Sequence, residues 1–310
     1  MTPTAKLVGY AALLVAVLVA GVAAGNAVGP DEPSTEAAAS TTVPASGPSG
    51  SEGAEEEEIA MPAGLAIARD GYALDLASAA RKVDDRLLQF RILGPDGEAV
   101  TAFDEQHERD MHLIVASRDL GWFRHVHPTL APDGTWSVDL PIPSPGPYRV
   151  FADFKPTGAA ALVLGADLTV AGEHEPSSMP EPATSVTVDG FDVRMEGAPV
   201  AGRSTTLVLT VTSDGAPAAL QPYLGAGGHL VAIRSGDLAY LHVHPLEGDT
   251  EPGEIRFAVE TPSAGTYRLF LDFQVDGEVH TAAFTVDVDS DGRPATTPPA
   301  SDHDADGHGH

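Results

Sequence analysis

Six of the twelve histidines fall into two groups that share one spacing, His-x12-His-x-His-Pro. The members are His112, His125 and His127 in the first group and His229, His242 and His244 in the second. The chain has no cysteine, so neither a disulfide nor a thiolate metal site can form. Clustered imidazoles without thiolates suit copper(II), zinc or nickel. The pattern therefore predicts a transition-metal site, with copper as the first candidate and zinc as another.

Each histidine group lies on two short apolar segments that a tight turn can join. In the first group the turn falls near residues 118–121, which places residue 112 opposite 127 and puts 125 on the same face. The second group, with its turn at 235–238, repeats this construction for residues 229, 244 and 242. Directly opposed Cβ atoms lie about 5 Å apart and diagonal ones about 7–8 Å apart. Three imidazoles of one hairpin can therefore meet at one ion, provided that the register does not slip by one residue.

Further candidate ligands lie near each group. Met111 precedes the first histidine of the first copy and offers a thioether that could help to hold copper(I). Asp153 and Asp272 occupy matched positions in the segments YRVFADF and YRLFLDF, where they could orient a ligand histidine. His280 is a candidate fourth ligand in the second copy, which has Gly228 in place of the methionine. We expect the second copy to hold the working site, with the first copy a variant or a structural remnant.

The histidines also have a purely structural interpretation. Identical spacing in two copies follows from duplication and counts only once, and a His-x-His strand can serve to bond backbone carbonyls. Against this, an ungapped alignment of residues 112–128 with 229–245 retains only His, Leu, His, Val, His and Pro. Packing alone usually tolerates an apolar replacement at a histidine, so the retention favours metal binding while leaving the structural role open.

The remaining histidines carry less information. The C-terminal segment alternates histidine with aspartate, and such tracts bind transition metals weakly and without fixed geometry, or simply solubilise the chain. Its histidines are His303, His308 and His310. His107 and His174 lie in polar, loop-like contexts, and we do not expect either to belong to a site.

An internal repeat carries both histidine groups. DGYALDL (70–76) matches DGFDVRM (189–195), and PGPYRVFADF (145–154) matches AGTYRLFLDF (264–273). Each copy consists of six or seven short strands separated by Asp-Gly, Pro-Gly and Ser-Gly turns, which predicts an all-β fold of two tandem immunoglobulin-like β-sandwiches, cupredoxin-like at the limit. Tyr148 and Tyr267 each follow Gly-x at a strand start and are expected to form tyrosine corners. The predicted regions are an anchor or signal (1–25), an acidic disordered linker (26–62), the first sandwich (63–172), a hinge (173–184), the second sandwich (185–288) and a disordered tail (289–310).

The N-terminal segment bears on location. Residues 7–25 form an unbroken apolar stretch of 19 residues after Lys6. A helix needs about 20 such residues to cross a bilayer, and a signal-peptide core is usually shorter. We expect a single-pass anchor that leaves the C-terminal part extracytoplasmic, with secretion as the outcome if the segment is cleaved near Asn26.

Net charge excludes one class of partner. Asp and Glu total 45 against 17 Lys and Arg, so the formal charge is -28. A nucleic-acid-binding protein needs a basic face, which this composition does not supply. The expected partners are a metal ion and, through the N-terminal helix, a membrane; the sequence identifies no partner protein.

Motifs of the second copy resemble a known group. YLGAGGHL (223–230) and GDLAYLHVHP (236–245) occur together, followed by GTYRLFLDF (265–273) and VHTAAFTV (279–286). The copy resembles membrane-anchored or secreted actinobacterial tandem β-sandwich proteins with a GHL…LHVHP signature, which are similar to YtkA-like and copper-resistance-type periplasmic domains. The first copy is diverged, with DEQHERDMHL (104–113) in place of the lead-in. The resemblance implies an extracytoplasmic β-sandwich concerned with heavy metals and supplies no ligand set.

Three functions follow for comparison. The first is a non-enzymatic metal-binding protein that buffers or delivers copper, and the second is a structural or adhesive envelope module with structural histidines. An enzyme is the third and is not expected, because the chain has neither a Gly-x-Ser-x-Gly elbow nor a phosphate-cradling loop. A three-histidine centre with an open position could in principle activate water or oxygen.

Overall fold

The computed structural model describes residues 61–241, 243–246, 248 and 250–290, with the side chain of His244 left out. Every helix or strand assigned within these residues is a strand, which confirms the all-β prediction. The described residues contain no helix with the length and apolar character that a bilayer requires. The predicted anchor, nearly all of the linker and all of the tail beyond residue 290 lie outside the described residues.

The first copy folds into a sandwich of two five-stranded sheets. Its strands are β1 (Ala68–Arg69), β2 (Tyr72–Leu76), β3 (Ala80–Arg81), β4 (Leu87–Leu93), β5 (Met111–Ser117), β6 (Phe123–Val126), β7 (Thr129–Leu130), β8 (Trp136–Asp139), β9 (Gly146–Phe154) and β10 (Leu162–Val170). One sheet has the order β1-β2-β4-β8-β7 and the other the order β3-β10-β9-β5-β6. Alternate residues of β4, namely Leu88, Phe90 and Ile92, are buried in the core between the sheets, as a strand with one buried face requires.

The second copy folds into an equivalent sandwich. Its strands are β11 (Ser185–Val188), β12 (Phe191–Glu196), β13 (Arg203–Ser213), β14 (Ala216–Pro217), β15 (His229–Arg234), β16 (Tyr240–Leu241), β17 (His244–Pro245), β18 (Glu254–Thr261), β19 (Gly265–Val275) and β20 (Glu278–Val288). One sheet has the order β11-β12-β13-β18-β17, with β14 paired to β13, and the other has the order β16-β15-β19-β20.

The two sandwiches pack against each other through the sheets that carry the histidine hairpins. Strand β5 is buried at every position because it is covered on both faces. Leu113 and Val115 face the core of the first sandwich, while Ile114 and Ala116 face the second sandwich. Burying an aliphatic or aromatic side chain contributes about 1.5–3 kcal/mol relative to leaving it exposed. The shared cluster comprises Ile114, Ala116, Leu120, Phe123, Phe151, Val231, Ile233, Leu238, Tyr240 and Phe270.

Contacts across this interface are reciprocal. The rings of Phe123 and Phe270 stack with their centroids 4.0 Å apart. The rings of Phe151 and Tyr240 lie 5.5 Å apart. Phe123 aligns with Tyr240 in the repeat, and Phe151 aligns with Phe270. The same contact is therefore made twice with the copies exchanged, as in the isologous interface of a twofold-symmetric dimer.

Both sandwiches contain the predicted tyrosine corner. The hydroxyl of Tyr148 donates to the carbonyl oxygen of Ser144 at 2.8 Å. The hydroxyl of Tyr267 donates to the carbonyl oxygen of Ser263, also at 2.8 Å. The structural role expected for these tyrosines is confirmed, and they belong to no candidate site.

Candidate metal centre

The hairpin register determines which histidines meet, and it agrees with the register predicted from the sequence. In the first copy Leu113 pairs with Val126 and Ile114 with His125. The same register, continued by one pair, sets His112 opposite residue 127. In the second copy, β15 and β16 pair through Ala232↔Leu241 and Ile233↔Tyr240, which corresponds residue for residue.

Three histidines of the first copy come together at the end of this hairpin. One ligand nitrogen from each of His112, His125 and His127 lies within 4.8 Å of the others. Their ring centroids are 4.9–5.2 Å apart. The side chain of His125 is 1% exposed, and His112 is 3% exposed. The predicted convergence of the first group is present.

A chain of hydrogen bonds runs through two of these rings. Asp272 Oδ2 lies 3.0 Å from His125 Nδ1, and His125 Nε2 lies 3.0 Å from His112 Nδ1. At the other end, His112 Nε2 lies 2.9 Å from the carbonyl oxygen of Gln106. The Asp272 carboxylate and the Gln106 carbonyl, at the two ends of the chain, can only accept hydrogen bonds. The three bonds together therefore need three protons on the four ring nitrogens. Two neutral imidazoles carry only two protons, so neutral rings cannot make all three bonds.

Burial keeps two rings of the cluster neutral. Desolvation, followed by the neighbouring charge of His125, lowers the pKa of His112 to about 4. Desolvation likewise lowers the pKa of His127 to about 3. The buried Nε2 of His127 has no hydrogen-bond partner among the described residues. When both rings are neutral and the two ends of the chain keep their protons, the lone pairs of His112 Nδ1 and His125 Nε2 face each other with no proton between them. Such a group of electron-rich nitrogens suits a cation.

The carboxylate that orients His125 comes from the second copy. Asp272 lies opposite His229 in the β15–β19 ladder, and its side chain is 4% exposed. Thr281 donates to its other oxygen at 2.6 Å. Asp153, the matched residue of the first copy, lies opposite His112 and accepts a hydrogen bond from the Tyr240 hydroxyl at 3.3 Å. The sequence did not indicate which histidine each carboxylate would orient, and both of these contacts cross the interface between the copies.

The second copy also contributes a histidine to the cluster. The ring of His229 lies 5.4 Å from that of His112 and 4.9 Å from that of His125. The cluster of described residues therefore contains histidines of both copies.

His107 also borders the cluster, although its loop context argued against a role. Its ring lies 5.5 Å from His229 and 6.1 Å from His112. It is presented by a two-residue turn in which His107 has φ +48° and Glu108 has φ +65°. Non-glycine residues at such angles are strained and concentrate at functional sites. Comparison of the two copies could have drawn attention to this turn. The second copy has Leu224-Gly225 there, whereas the first copy has His107-Glu108.

Two predicted ligands lie apart from the cluster. Met111 is buried in the core of the first sandwich, on the opposite face of β5 from His112, because successive strand residues alternate. His280 packs between the rings of Phe191 and Phe273, and its Nδ1 lies 2.9 Å from Asp189 Oδ2. Neither the thioether ligand nor the fourth ligand expected from these residues is present at the cluster.

Part of the second histidine group lies outside the described residues. His242 is not described, and only the backbone of His244 is, where it pairs with Ala258 of β18. The tail histidines also fall outside. The triad that the structure describes belongs to the first copy, and the working site expected in the second copy depends on residues outside the described part and stays a prediction.

An open groove of about 1290 Å³ reaches the cluster from solvent. Both copies line it, and His125, His127 and Asp272 form part of its wall. Burial and the negative charge of Asp272 raise the pKa of Tyr223, another wall residue, to about 12. The groove provides a route by which a small ion or ligand can reach the histidines.

Comparison with known proteins identifies the repeat unit. The family model described as a domain of unknown function (DUF8832) matches residues 67–171 and again residues 186–290. No curated protein matches the chain.

Solved structures resemble the chain only distantly. The Lin-41 filamin domain is 13% identical over 35% of this chain and 97% of that domain, with a TM-score of 0.24. Invasin, a bacterial integrin-binding protein, is 14% identical over 72% of this chain and 41% of its own, with a TM-score of 0.20. The Yersinia pseudotuberculosis adhesin InvE is 12% identical over 69% of this chain and 58% of its own, with a TM-score of 0.21. The chain thus spans about half the length of these two bacterial proteins, and the similarities carry no functional argument.

Proposed function

The chain belongs to the DUF8832 family, and from that premise and the geometry of the cluster we propose that it binds a transition-metal ion. The ion is copper first and zinc second, since both accept imidazole ligands without thiolates. We propose that the protein is membrane-tethered and extracytoplasmic, or secreted if its N-terminal segment is cleaved. It acts without catalysis, in buffering or delivery of the ion.

One observation carries this proposal: three imidazoles converge at one point, and in their neutral forms His112 and His125 have too few protons to make the hydrogen bonds of their chain. His112 Nδ1 and His125 Nε2 face each other at 3.0 Å, and the Nε2 of His127 is buried without a partner among the described residues. In a tetrahedral centre with metal–nitrogen bonds of about 2.0–2.1 Å, ligand nitrogens lie about 3.3 Å apart. A cation bound there would take the place of the missing proton.

The surroundings fit the same role. Asp272 accepts from His125 Nδ1, which leaves His125 Nε2 free of its proton to face an ion, as carboxylate–histidine–metal triads do. The pKa values of His112 and His127, lowered by burial, keep both rings unprotonated at neutral pH. Metal ligands must be deprotonated, so the cluster does not need to release protons from these rings to bind.

The proposed location rests on the sequence. Residues 7–25 have the length of a membrane anchor, and the acidic remainder is expected on the outer side. The resemblance of the second copy to YtkA-like and copper-resistance-type domains supports copper over zinc. It supports a place outside the cytoplasm as well.

Metal titration of the full chain tests the proposal. We would replace the tail residues His303, His308 and His310 by Asn in every variant, because that tract can bind metals by itself. Calorimetric titration with Cu²⁺ and Zn²⁺ should then show a binding site that disappears in the double variant His112→Ala, His127→Ala. Unchanged binding in a double variant that remains folded would refute the proposal.

A structural role is the second candidate, and a specific observation favours it. A buried contact of 3.0 Å between His125 Nδ1 and Asp272 Oδ2 joins the two copies without any metal, and the Tyr240 hydroxyl donates a second hydrogen bond across the interface to Asp153. If the module is structural or adhesive, the same double variant should lose thermal stability equally with and without metal ions. It should also bind no metal before or after the substitutions.

A further inference from the structure

We infer that the ion is held between the two domains, with His229 of the second copy completing the ligand set of the first. The inference rests on the proposed metal binding and adds the source of the fourth ligand. The ion then links the two sandwiches, because His229 of the second copy binds it together with the triad His112, His125 and His127 of the first copy.

His229 is placed for this role by its strand. It is the first residue of β15, opposite Asp272, and it is 7% exposed. Its neighbour Leu230 faces the core of the second sandwich. Because strand residues alternate, the imidazole of His229 faces the first copy instead. The side chain is therefore directed across the interface and not into its own domain.

Ring separations provide the quantitative argument. With metal–nitrogen bonds of about 2.0–2.1 Å and a ring centre about 1.2 Å beyond the nitrogen, two imidazoles at a tetrahedral angle have centroids about 5 Å apart. The observed centroids are 4.9–5.2 Å apart within the triad. Those of His229 lie 5.4 Å from His112 and 4.9 Å from His125. His229 thus stands at the same separation from two members of the triad as these stand from each other.

The internal symmetry explains why ligands from both copies meet here. His112 and His229 are equivalent residues of the repeat, and their ring planes are parallel within 1°. Equivalent residues touch each other only near the axis that relates the two copies. The cluster therefore lies next to the pseudo-twofold axis, where a single ion can be reached from both domains.

Single substitutions in the full chain, in the background without tail histidines, test the inference. His229→Ala is compared with His127→Ala and with His280→Ala, a matched control that is 9% exposed and lies apart from the cluster. Titration with Zn²⁺ alone should show at least about tenfold weaker binding for His229→Ala, as expected when a group that supports a metal centre is lost. His280→Ala should bind as the parent does.

Backbone hydrogen exchange with and without Zn²⁺ gives a second measurement. In the parent chain, the ion should slow exchange in both β5 and β15, because it fastens strands of both domains. In His229→Ala, protection should be confined to β5. If His229→Ala does not fold, the pattern of the parent decides, since protection of β5 alone would overturn the inference.

The outcomes separate the two proposals. Parental affinity in His229→Ala together with lost binding in His127→Ala would overturn the link between domains and leave metal binding intact. Parental affinity in both variants would overturn metal binding as well. A loss in His280→Ala equal to that in His229→Ala would show that the effect is not local, and would also overturn the inference.

Discussion

The substitution Asp272→Asn tests the contact between the Asp272 carboxylate and the His125 ring. It keeps the size of the side chain and removes its charge. The Asp272 carboxylate accepts from His125 Nδ1 at 3.0 Å and is 4% exposed, so its influence on a bound ion is little screened by water. We expect the folded variant to bind Cu²⁺ and Zn²⁺ more weakly.

The magnitude follows from the distances. The carboxylate oxygen lies 3.0 Å from His125 Nδ1. The ring adds about 2.2 Å and a metal bond about 2 Å, so the charge stands about 7 Å from the ion. At an effective dielectric constant of about 20, a divalent ion and a carboxylate at this distance attract by about 5 kcal/mol. The cost of keeping the carboxylate buried offsets part of this attraction, and loss of such a partner typically weakens binding about 10–100-fold. We expect the upper end, about 100-fold, which corresponds to about 2.7 kcal/mol.

Calorimetric or competition titration measures the effect, and the chain offers a matched control. Asp189 Oδ2 lies 2.9 Å from His280 Nδ1, so Asp189→Asn removes a carboxylate from another histidine contact, one whose carboxylate is 62% exposed and which includes no histidine of the cluster. Asp189 has φ +49°, a conformation that asparagine tolerates well. Asp189→Asn should bind metal as the parent does. Affinity for Cu²⁺ and Zn²⁺ within about twofold of the parent in Asp272→Asn would show that the carboxylate does not act through His125 on a bound ion.

Four further predictions concern stability. Without metal, the free energy of unfolding should fall as the pH is lowered from 6.5 to 4. The folded-state pKa values, about 4 for His112 and about 3 for His127, lie below the unfolded value of about 6.5, so the unfolded chain binds more protons in this range. Each ring contributes up to about 1.4 kcal/mol per pH unit, and equal urea midpoints at pH 7 and pH 5 would contradict this prediction. Tyr267→Phe removes the corner bond of 2.8 Å and should cost about 1–3 kcal/mol, measured as a lower Tm. Phe270→Ala opens the stacked interface and should cost about 3–5 kcal/mol in urea denaturation, whereas an unchanged midpoint would show that the interface contributes little. Glu108→Gly relieves a residue at φ +65° and should raise stability by about 0.5–1 kcal/mol, and a lower Tm would contradict the strain inferred for this turn.

Local patterns explain what could be predicted. The hairpin register follows from the positions of the turns at 118–121 and 235–238, because a tight turn fixes which residues of the two strands are opposed. The tyrosine corners follow equally, since each joins residues only four positions apart. Alternation along β5 could also have excluded Met111, which must face away from His112.

The packing of one copy on the other could not be predicted in this way. The apolar run of β5 shows that both faces are covered, but it does not say by what. Nothing in the spacing of either histidine group indicates that Asp272 bonds His125 of the other copy, or that His229 approaches His112.

The amino-acid sequence by itself therefore determined the fold of each repeat and the face on which its histidines lie, because both depend on residues close together in the chain. Only the tertiary structure decided that the two copies share one cluster, since the contacts of Asp272 and His229 with the first triad span more than 100 residues. Those contacts depend on how two finished sandwiches meet about their pseudo-twofold axis. That arrangement is a property of two complementary surfaces and not of any local pattern.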